Sequence, residues 1–82
     1  IAAALPSALR AARDEIAAGG DPAEAAARAR EALLRAGFDS VDYVEVRDPA
    51  TLEAVTAPGQ PARVFGAARL GGTRLIDNWP VE

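Results

Sequence analysis

The sequence contains no cysteine, no histidine and no lysine, and each absence removes a class of function. Without Cys there is neither a disulfide nor a thiolate zinc site. Without His or Lys the chain lacks the usual general base and the ammonium group that clamps phosphate. Carboxylates, Ser7, Ser40, Tyr43 and nine arginines are the groups that remain for chemistry. A self-contained catalytic site is therefore not expected.

Large apolar residues are also scarce, which limits the core. The chain has 82 residues, of which half are hydrophobic and 5% aromatic, and much of the apolar share is alanine. This length predicts a single small domain with one thin core. No apolar run is long enough to span a membrane, and no signal-peptide pattern is present. The net charge of −3 argues against a nucleic-acid partner, which needs a positive stripe.

The first half of the sequence predicts two helices. One face of the first helix repeats apolar residues at helical spacing, namely Leu5, Leu9, Ala12 and Ile16. Pro6 suits a first turn, so the helix is expected to begin near it, and Gly19-Gly20 is expected to end it.

The second helix has a clear start signal. Asp21 is a good N-cap, Pro22 suits the first helical position, and Glu24 fits a capping box. Its expected apolar side consists of Ala26, Ala29, Leu33 and Leu34. Gly37 is expected to end the helix, and the short Gly-rich link to the first helix predicts an antiparallel helical hairpin.

The second half predicts three strands. Residues Ser40 to Asp48 are predicted to form a strand, in which successive side chains point to opposite faces. This alternation would place Val44 and Val46 with Asp42 on one face and Val41, Tyr43 and Glu45 on the other. Asp48 to Leu52 predicts a capped turn or one short helical turn. Arg63 to Leu70 and Thr73 to Asn78 predict a hairpin around Gly71-Gly72. The predicted fold class is α+β: a two-helix hairpin followed by a three-stranded antiparallel sheet, with the helices on one face.

The hairpin places Arg69 opposite Arg74, and two like charges across a ladder repel. Solvent, an acidic neighbour or a bound anion must therefore offset the repulsion, and Glu45 is the candidate acidic neighbour if the first strand lies next to the hairpin. Two interpretations remain open. The arginines form a surface network with glutamate that shapes the turn, or they face an anionic ligand across a cleft, because guanidinium groups bind phosphate and carboxylate bidentately.

Residues 77–80 are interpreted as structural rather than as part of a chemical site. Asp77-Asn78 is predicted as a turn pair at the end of the third strand. Trp79-Pro80 is interpreted as a plug against the sheet edge, a frayed end or an interface residue.

Several segments resemble the C-terminal domain of the pantoate–β-alanine ligase (pantothenate synthetase) family. Residues 42–46 with 48–52 are similar to its first strand and following turn, and residues 67–68 with 73–78 are similar to its closing hairpin. The Thr-Arg-Leu-Ile-Asp-Asn stretch is the most specific of these. The resemblance spans essentially the whole chain, and the start at Ile1 is consistent with one domain of a longer protein.

The resemblance implies a cytoplasmic, homodimeric ligase in its full-length form, which condenses pantoate with β-alanine using ATP and magnesium through a pantoyl-adenylate. It implies that residues 1–82 are a C-terminal lid over an N-terminal Rossmann-like catalytic domain. The family's nucleotide motif, pantoate pocket and Lys-Met-Ser loop do not occur in this sequence. No catalytic or metal residue is therefore carried over, and the isolated chain is expected to be inactive and to bind no cofactor.

Arg69 and Arg74 are the only candidate substrate- or nucleotide-facing residues, and they rest on charge rather than on the resemblance. Their expected partner is the N-terminal domain of the same protein with its bound ligands. The alternative is a small protein-interaction module whose helices or sheet face dock a partner. An upstream Rossmann-like domain ending in a Lys-Met-Ser loop would favour the lid.

Overall fold

The computed structural model describes residues 1–81 and contains the predicted elements in the predicted order. Helices α1 (Ala4–Ala17) and α2 (Pro22–Ala36) precede strands β1 (Ser40–Arg47), β2 (Ala62–Leu70) and β3 (Thr73–Val81). The sheet is antiparallel with strand order β1-β2-β3. The α+β fold class is confirmed.

Helix α1 forms because its apolar residues recur at helical spacing. The predicted face is buried, with Ala8 added to it. Pro6 lies in the first turn, where its missing N–H would have no helical acceptor. The helix ends at Ala17 with Ala18 as its C-cap, and Gly19 follows with a φ of +100°. This left-handed residue turns the chain towards α2 without the steric cost that a β-carbon would add.

Helix α2 is capped at both ends as the sequence predicts. The Asp21 carboxylate accepts a hydrogen bond from the Glu24 backbone N–H at 3.0 Å, and Gly37 takes the left-handed position with a φ of +113°. The buried side is rotated from the predicted one. Ala25 is buried, whereas Leu34 is 45% exposed, so its prediction as a core residue is wrong.

The β2–β3 hairpin closes through two glycines. Leu70 pairs with Thr73, and Gly71 and Gly72 have φ values of +56° and +87°. Two consecutive positive φ angles in a two-residue loop are typical of a type I′ turn, whose twist matches that of the strands. The hairpin is confirmed where the sequence predicts it.

Strand β1 contains an irregularity that the sequence analysis missed. Val41 pairs with Ala68 and Tyr43 with Ala67, so Asp42 is an extra residue in the ladder. Such a β-bulge shifts the side-chain alternation by one position. Val41 consequently faces the helices together with Val44 and Val46, and its predicted place on the opposite face is wrong.

The helices cover one face of the sheet only. Helix α1 packs on β2 and β3, and α2 packs on β1. The core between these layers contains Leu9, Leu33 and Val64, which are all fully buried. Burial of such side chains, at roughly 1.5–3 kcal/mol each, is the main stabilising contribution in a domain of this size.

Strand β3 is longer than predicted. It continues through Asp77-Asn78, interpreted above as a turn pair, and through Trp79-Pro80, for which a plug was one interpretation. Trp79 pairs with Val64 and lies on the helix side of the sheet, with the guanidinium carbons of Arg10 and Arg13 at 5.4 and 5.5 Å from its ring centre. Asp77 accepts a hydrogen bond from the indole N–H at 2.9 Å. The interpretation of residues 77–78 as a turn pair is wrong, because continued pairing with β2 satisfies their backbone.

Candidate functional site

Arg69 and Arg74 are direct cross-strand partners in the β2–β3 hairpin. The type I′ turn fixes this register, since a two-residue loop pairs Leu70 with Thr73 and the next pair outward is the two arginines. Their side chains stand on the sheet face that carries no helix. The predicted juxtaposition of two positive charges is therefore present.

The neutralising group is Asp42, not Glu45. The two oxygens of Asp42 lie 3.3 Å from the Arg69 Nε and 2.7 Å from the Arg74 Nε. Glu45 instead pairs with Arg47 at 2.5 Å. The prediction of Glu45 is wrong because the bulge turns Asp42, which strict alternation assigned to the helix side, towards the arginines.

The ion pairs lower the pKa of Asp42 below its ordinary value of 3.8. The hydrogen bond from Arg74 is the largest cause; desolvation, the next largest, opposes it, and the hydrogen bond from Arg69 adds to the lowering. Ionised Asp42 is the form that both guanidinium groups stabilise. At neutral pH the cluster therefore holds two positive charges and one negative charge.

The two guanidinium groups retain most of their hydrogen-bonding capacity. Each has five N–H donors, and Asp42 accepts only from the Nε atoms. Within residues 1–81 the terminal nitrogens of Arg69 and Arg74 donate no hydrogen bond, and the side chains are 54% and 45% exposed. These terminal nitrogens are in a position to bind a further anion.

Neighbouring groups hold the cluster in place. The guanidinium of Arg74 lies 5.9 Å from the ring centre of Tyr43, a cation–π contact that orients its plane. Asp39 accepts a hydrogen bond from the Gly71 N–H at 2.8 Å, and its own N–H donates to the Arg69 carbonyl at 2.9 Å. The hairpin turn is thus tied to the start of β1. We call Asp42, Tyr43, Arg69 and Arg74 the arginine cluster.

The arginine cluster is one end of a larger helix-free surface, which we call the outer face. Behind the cluster lies an apolar cross-strand row of Tyr43, Ala67 and Ile76, and Phe65 stands in the row after it. At the far end Arg47 pairs with Arg63. Ile76 is 64% exposed, an unusual exposure for so large an apolar side chain.

Ile1 lies at the end of the domain that carries the arginine cluster. Its Cδ1 would lie 3.3 Å from a β-carbon built on Gly37, which ends α2. Two residues later, Asp39 contacts the hairpin turn. Ile1, the end of α2 and the hairpin turn therefore lie at the same end of the domain.

Other parts of the described chain offer little for chemistry. Residues 1–81 contain no group of three carboxylates, histidines or cysteines able to hold a metal ion. No helix among them has the length and apolar content needed to cross a bilayer. Ser7 and Ser40 have no base beside them, since the sequence lacks histidine.

Sequence reasoning found the two arginines but missed the groups that organise them. Asp42 and the contact of Tyr43 with Arg74 depend on the bulge. A signal was present: Val41 and Val44 are three residues apart, so an unbroken strand cannot bury both on one face. A bulge between them follows from requiring that both valines reach the core.

Comparison with known proteins gives a consistent result over almost the whole chain. The family model for pantoate-beta-alanine ligase matches residues 1–80. The pantothenate synthetases of Sphingopyxis alaskensis and Rhizorhabdus wittichii are each 54% identical, over 98% and 95% of this chain. The crystal structure of pantothenate synthetase from Thermus thermophilus superimposes with a TM-score of 0.81 at 36% identity, covering 95% of this chain.

The matches cover only a part of each relative. The chain spans 29% of the Sphingopyxis protein, 28% of the Rhizorhabdus protein and 28% of the Thermus chain. More than two thirds of each relative therefore has no counterpart in these residues.

Proposed function

This chain belongs to the pantoate-beta-alanine ligase family, and we propose that it is the C-terminal lid domain of a pantothenate synthetase. The whole protein condenses pantoate with β-alanine at the expense of ATP, and it forms pantothenate, AMP and pyrophosphate through a pantoyl-adenylate. As part of the same proposal it works in the cytoplasm as a homodimer. The domain described here closes over a catalytic domain that supplies the reacting groups.

The chemical composition of the chain is the observation that carries this proposal. A ligase that activates a carboxylate must stabilise the charge that develops on transferring phosphoryl and acyl groups, and it usually does so with lysine, histidine and metal ions. This sequence has neither lysine nor histidine. The described residues also contain no group of three or more histidines, cysteines or carboxylates that could hold a metal ion, and we therefore assign the steps that need the metal to the remainder of the protein.

Exclusion of water is the contribution expected of a lid. An acyl-adenylate hydrolyses in water, and closure of a domain over it suppresses this side reaction. The two-layer fold suits this role, because a sheet that is covered by helices on one face can move as a rigid body. The outer face is then available to meet the catalytic domain.

We propose further that Arg69 and Arg74 contact an anionic group of the ligands when the lid is closed. Their terminal nitrogens point to no acceptor within residues 1–81, and the two side chains are 54% and 45% exposed, so they are accessible to a ligand. Two guanidinium groups sharing one carboxylate leave a net positive charge, which favours phosphate or carboxylate ligands.

The experiment uses a chimera in which residues 1–80 replace the matching segment of the Sphingopyxis alaskensis pantothenate synthetase. We expect Arg69→Ala and Arg74→Ala each to lower kcat/KM for ATP or pantoate by about 10-fold or more, as loss of a charge-assisted hydrogen bond implies. Arg30→Ala is the matched control, since Arg30 lies exposed on α2. Unchanged kcat/KM in both cluster variants would refute the ligand contact.

A further inference from the structure

Asp42 binds arginine in a different way from the other paired carboxylates. Glu15 directs both oxygens to one guanidinium, that of Arg28, and accepts from its Nε and a terminal nitrogen together. Asp42 divides its oxygens instead: Oδ1 lies 3.3 Å from the Arg69 Nε, and Oδ2 lies 2.7 Å from the Arg74 Nε. In the described part of the chain it is the one carboxylate that forms ion pairs with two arginines.

The two arrangements leave different donors free on the guanidinium groups. A carboxylate that binds the Nε and a terminal nitrogen occupies a whole edge of the fork. A carboxylate that binds only the Nε restrains the group close to its stem and leaves the outer edge open. Arg69 and Arg74 are held in this second way, so both are ordered and both keep their outer edges for another acceptor.

Arg47, at the other end of the outer face, shows a purely structural use of the same group. Its terminal nitrogens donate to the Leu52 carbonyl oxygen at 2.8 Å and to Glu45 at 2.5 Å. These bonds fix the turn after β1 and direct the outer edge of the guanidinium to acceptors within the domain. The free outer edges in the arginine cluster are therefore not a general property of arginine in this fold.

The β-bulge in β1 brings the Asp42 carboxylate to the arginines. Val41 and Val44 both reach the core side, and the extra residue between them in the ladder turns Asp42 to the opposite face. Its side chain is only 26% exposed, so the ion pairs are screened less than those of fully exposed groups. Bulges often re-aim a side chain next to a functional site, and this one places a carboxylate between two guanidinium groups.

The backbone below the two arginines is also fixed, so their side chains are the part that remains to be ordered. The Asp39 N–H donates to the Arg69 carbonyl at 2.9 Å, and the Asp39 carboxylate accepts from the Gly71 N–H at 2.8 Å. A long side chain loses rotamer freedom when it binds a ligand, and this loss weakens binding. Side chains that Asp42 has already ordered lose less.

We infer that Asp42 is a positioning residue, which holds Arg69 and Arg74 by their Nε atoms and so prepares the terminal nitrogens of both for one anionic group, a phosphate or a carboxylate. The inference rests on the proposed ligand contact of the two arginines and names the residue on which that contact depends. Asp42 does not bind the ligand itself, because two anionic groups repel each other.

Charge alone predicts the opposite effect of removing this carboxylate. Asp42→Asn takes away one negative charge beside the two arginines, which strengthens the attraction of the cluster for an anion. Positioning predicts that the anion is bound less well, because the guanidinium groups lose the acceptor that orders them. The sign of the change in kcat/KM therefore distinguishes the two explanations.

Steady-state kinetics of the Sphingopyxis chimera tests the inference. We expect Asp42→Asn to lower kcat/KM by about fivefold or more, because two side chains must then be ordered by the ligand. A loss seen when ATP is varied identifies a phosphate as the contacted group, and a loss seen when pantoate is varied identifies its carboxylate. Unchanged or raised kcat/KM for both substrates would overturn the inference.

Glu15→Gln is the matched control for this variant. It also removes one carboxylate from an arginine pair, but the pair joins the two helices and is remote from the cluster. It should leave kcat/KM unchanged. An equal loss in Glu15→Gln would attribute the effect of Asp42→Asn to general destabilisation and would overturn the inference.

A lysine variant provides a test that does not depend on how well Asp42→Asn folds. Arg74→Lys keeps the positive charge and the ion pair with Asp42, but a compact ammonium cannot present one edge to Asp42 and another to the ligand. We expect a Tm close to that of the unmodified chimera and a loss of kcat/KM nearly as large as in Arg74→Ala. Full activity of Arg74→Lys would show that a point charge is sufficient and would reject the positioning role.

A double-mutant cycle separates the role of Asp42 from the ligand contact. With Arg69→Ala and Arg74→Ala together in place, Asp42→Asn should have no further effect on kcat/KM, because no guanidinium remains to be positioned. The same loss in that background would reject the inference. A loss in the arginine variants with full activity in Asp42→Asn would keep the ligand contact and reject the role of Asp42. Unchanged kinetics in both arginine variants would reject the ligand contact and this inference with it.

Discussion

Leu9 of α1 lies directly on Gly66 of β2, so that a β-carbon built on this glycine would be only 2.9 Å from the Leu9 Cδ2. Both residues are at the centre of the helix–sheet interface, and Leu9 is fully buried. The glycine therefore sets the distance between the two layers. A close approach of a helix to a sheet is one of the uses of glycine within a strand.

We predict that Gly66→Ala destabilises the domain by about 1–3 kcal/mol, because the added methyl group overpacks the contact with Leu9. Without that contact, alanine in a strand interior would be more stable than glycine. Urea unfolding of Gly66→Ala, Leu9→Ala and the double variant measures the coupling. If the cost of Gly66→Ala is the same in the Leu9→Ala background, the steric explanation is wrong.

The N-cap of α2 provides a second test of local structure. Asp21→Ala should lower the free energy of unfolding by about 1 kcal/mol, because the Glu24 N–H loses its acceptor. Asp21→Asn is the control and should retain most of the stability, since asparagine caps about as well. Urea titration followed by circular dichroism gives both values. An equal loss in the two variants would indicate that the charge, not the cap, is what matters.

The arginine cluster predicts a pH dependence with a defined sign. The pKa of Asp42 is lowered in the folded protein, so its stabilising contribution is complete above its unfolded pKa, near the ordinary value of 3.8. The contribution is lost as the pH falls below this value and through the folded pKa. The Tm difference between the wild type and Asp42→Asn should therefore be largest near neutral pH and shrink in acid.

Salt is the control for the electrostatic origin of that difference. Asp42 and both arginines are solvent-accessible, so about 1 M NaCl should reduce the Tm difference at neutral pH by screening. A difference that persists unchanged in acid and in salt would show that Asp42 acts through the backbone geometry of the bulge.

Trp79 offers a spectroscopic test of how β3 is held by α1. It is the only tryptophan, and Arg10 and Arg13 both stack on its ring. Arg10→Ala should lower stability by about 0.5–1 kcal/mol and shift the Trp79 emission to longer wavelength, because water replaces the guanidinium. Arg30→Ala, remote from the ring, should leave the emission unchanged. An unaltered spectrum in Arg10→Ala would contradict the stacking.

Local signals explain which parts of the fold could be predicted. The Asp21 cap, Gly37 and the Gly71-Gly72 turn each act over a few residues through backbone geometry. The turn also fixes the cross-strand partner of every residue in the hairpin. The opposition of Arg69 and Arg74 therefore follows from the sequence alone.

The features that escaped prediction depend on contacts between distant segments. The bulge at Asp42 arises because Val41 and Val44 both meet the helical layer, which a single strand pattern does not reveal. Leu34 is exposed and Ala25 is buried because of the way α2 is rotated against β1, and the helical pattern of the sequence does not give this rotation. The prediction of Glu45 as the acidic neighbour of the arginines is consequently wrong, since Asp42 takes that place.

The central claim is that this domain covers a reactive intermediate, and that the remainder of the protein supplies the general base and the metal ligands. The most direct measurement is the ratio of AMP to pantothenate formed by the Sphingopyxis chimera carrying Arg69→Ala and Arg74→Ala together. If these arginines hold the lid over the ligands, their loss admits water to the acyl-adenylate. The ratio of AMP to pantothenate should then rise from one to about two or more. The Arg30→Ala control should stay at one. A double variant that still forms one AMP per pantothenate at the full rate would contradict the account.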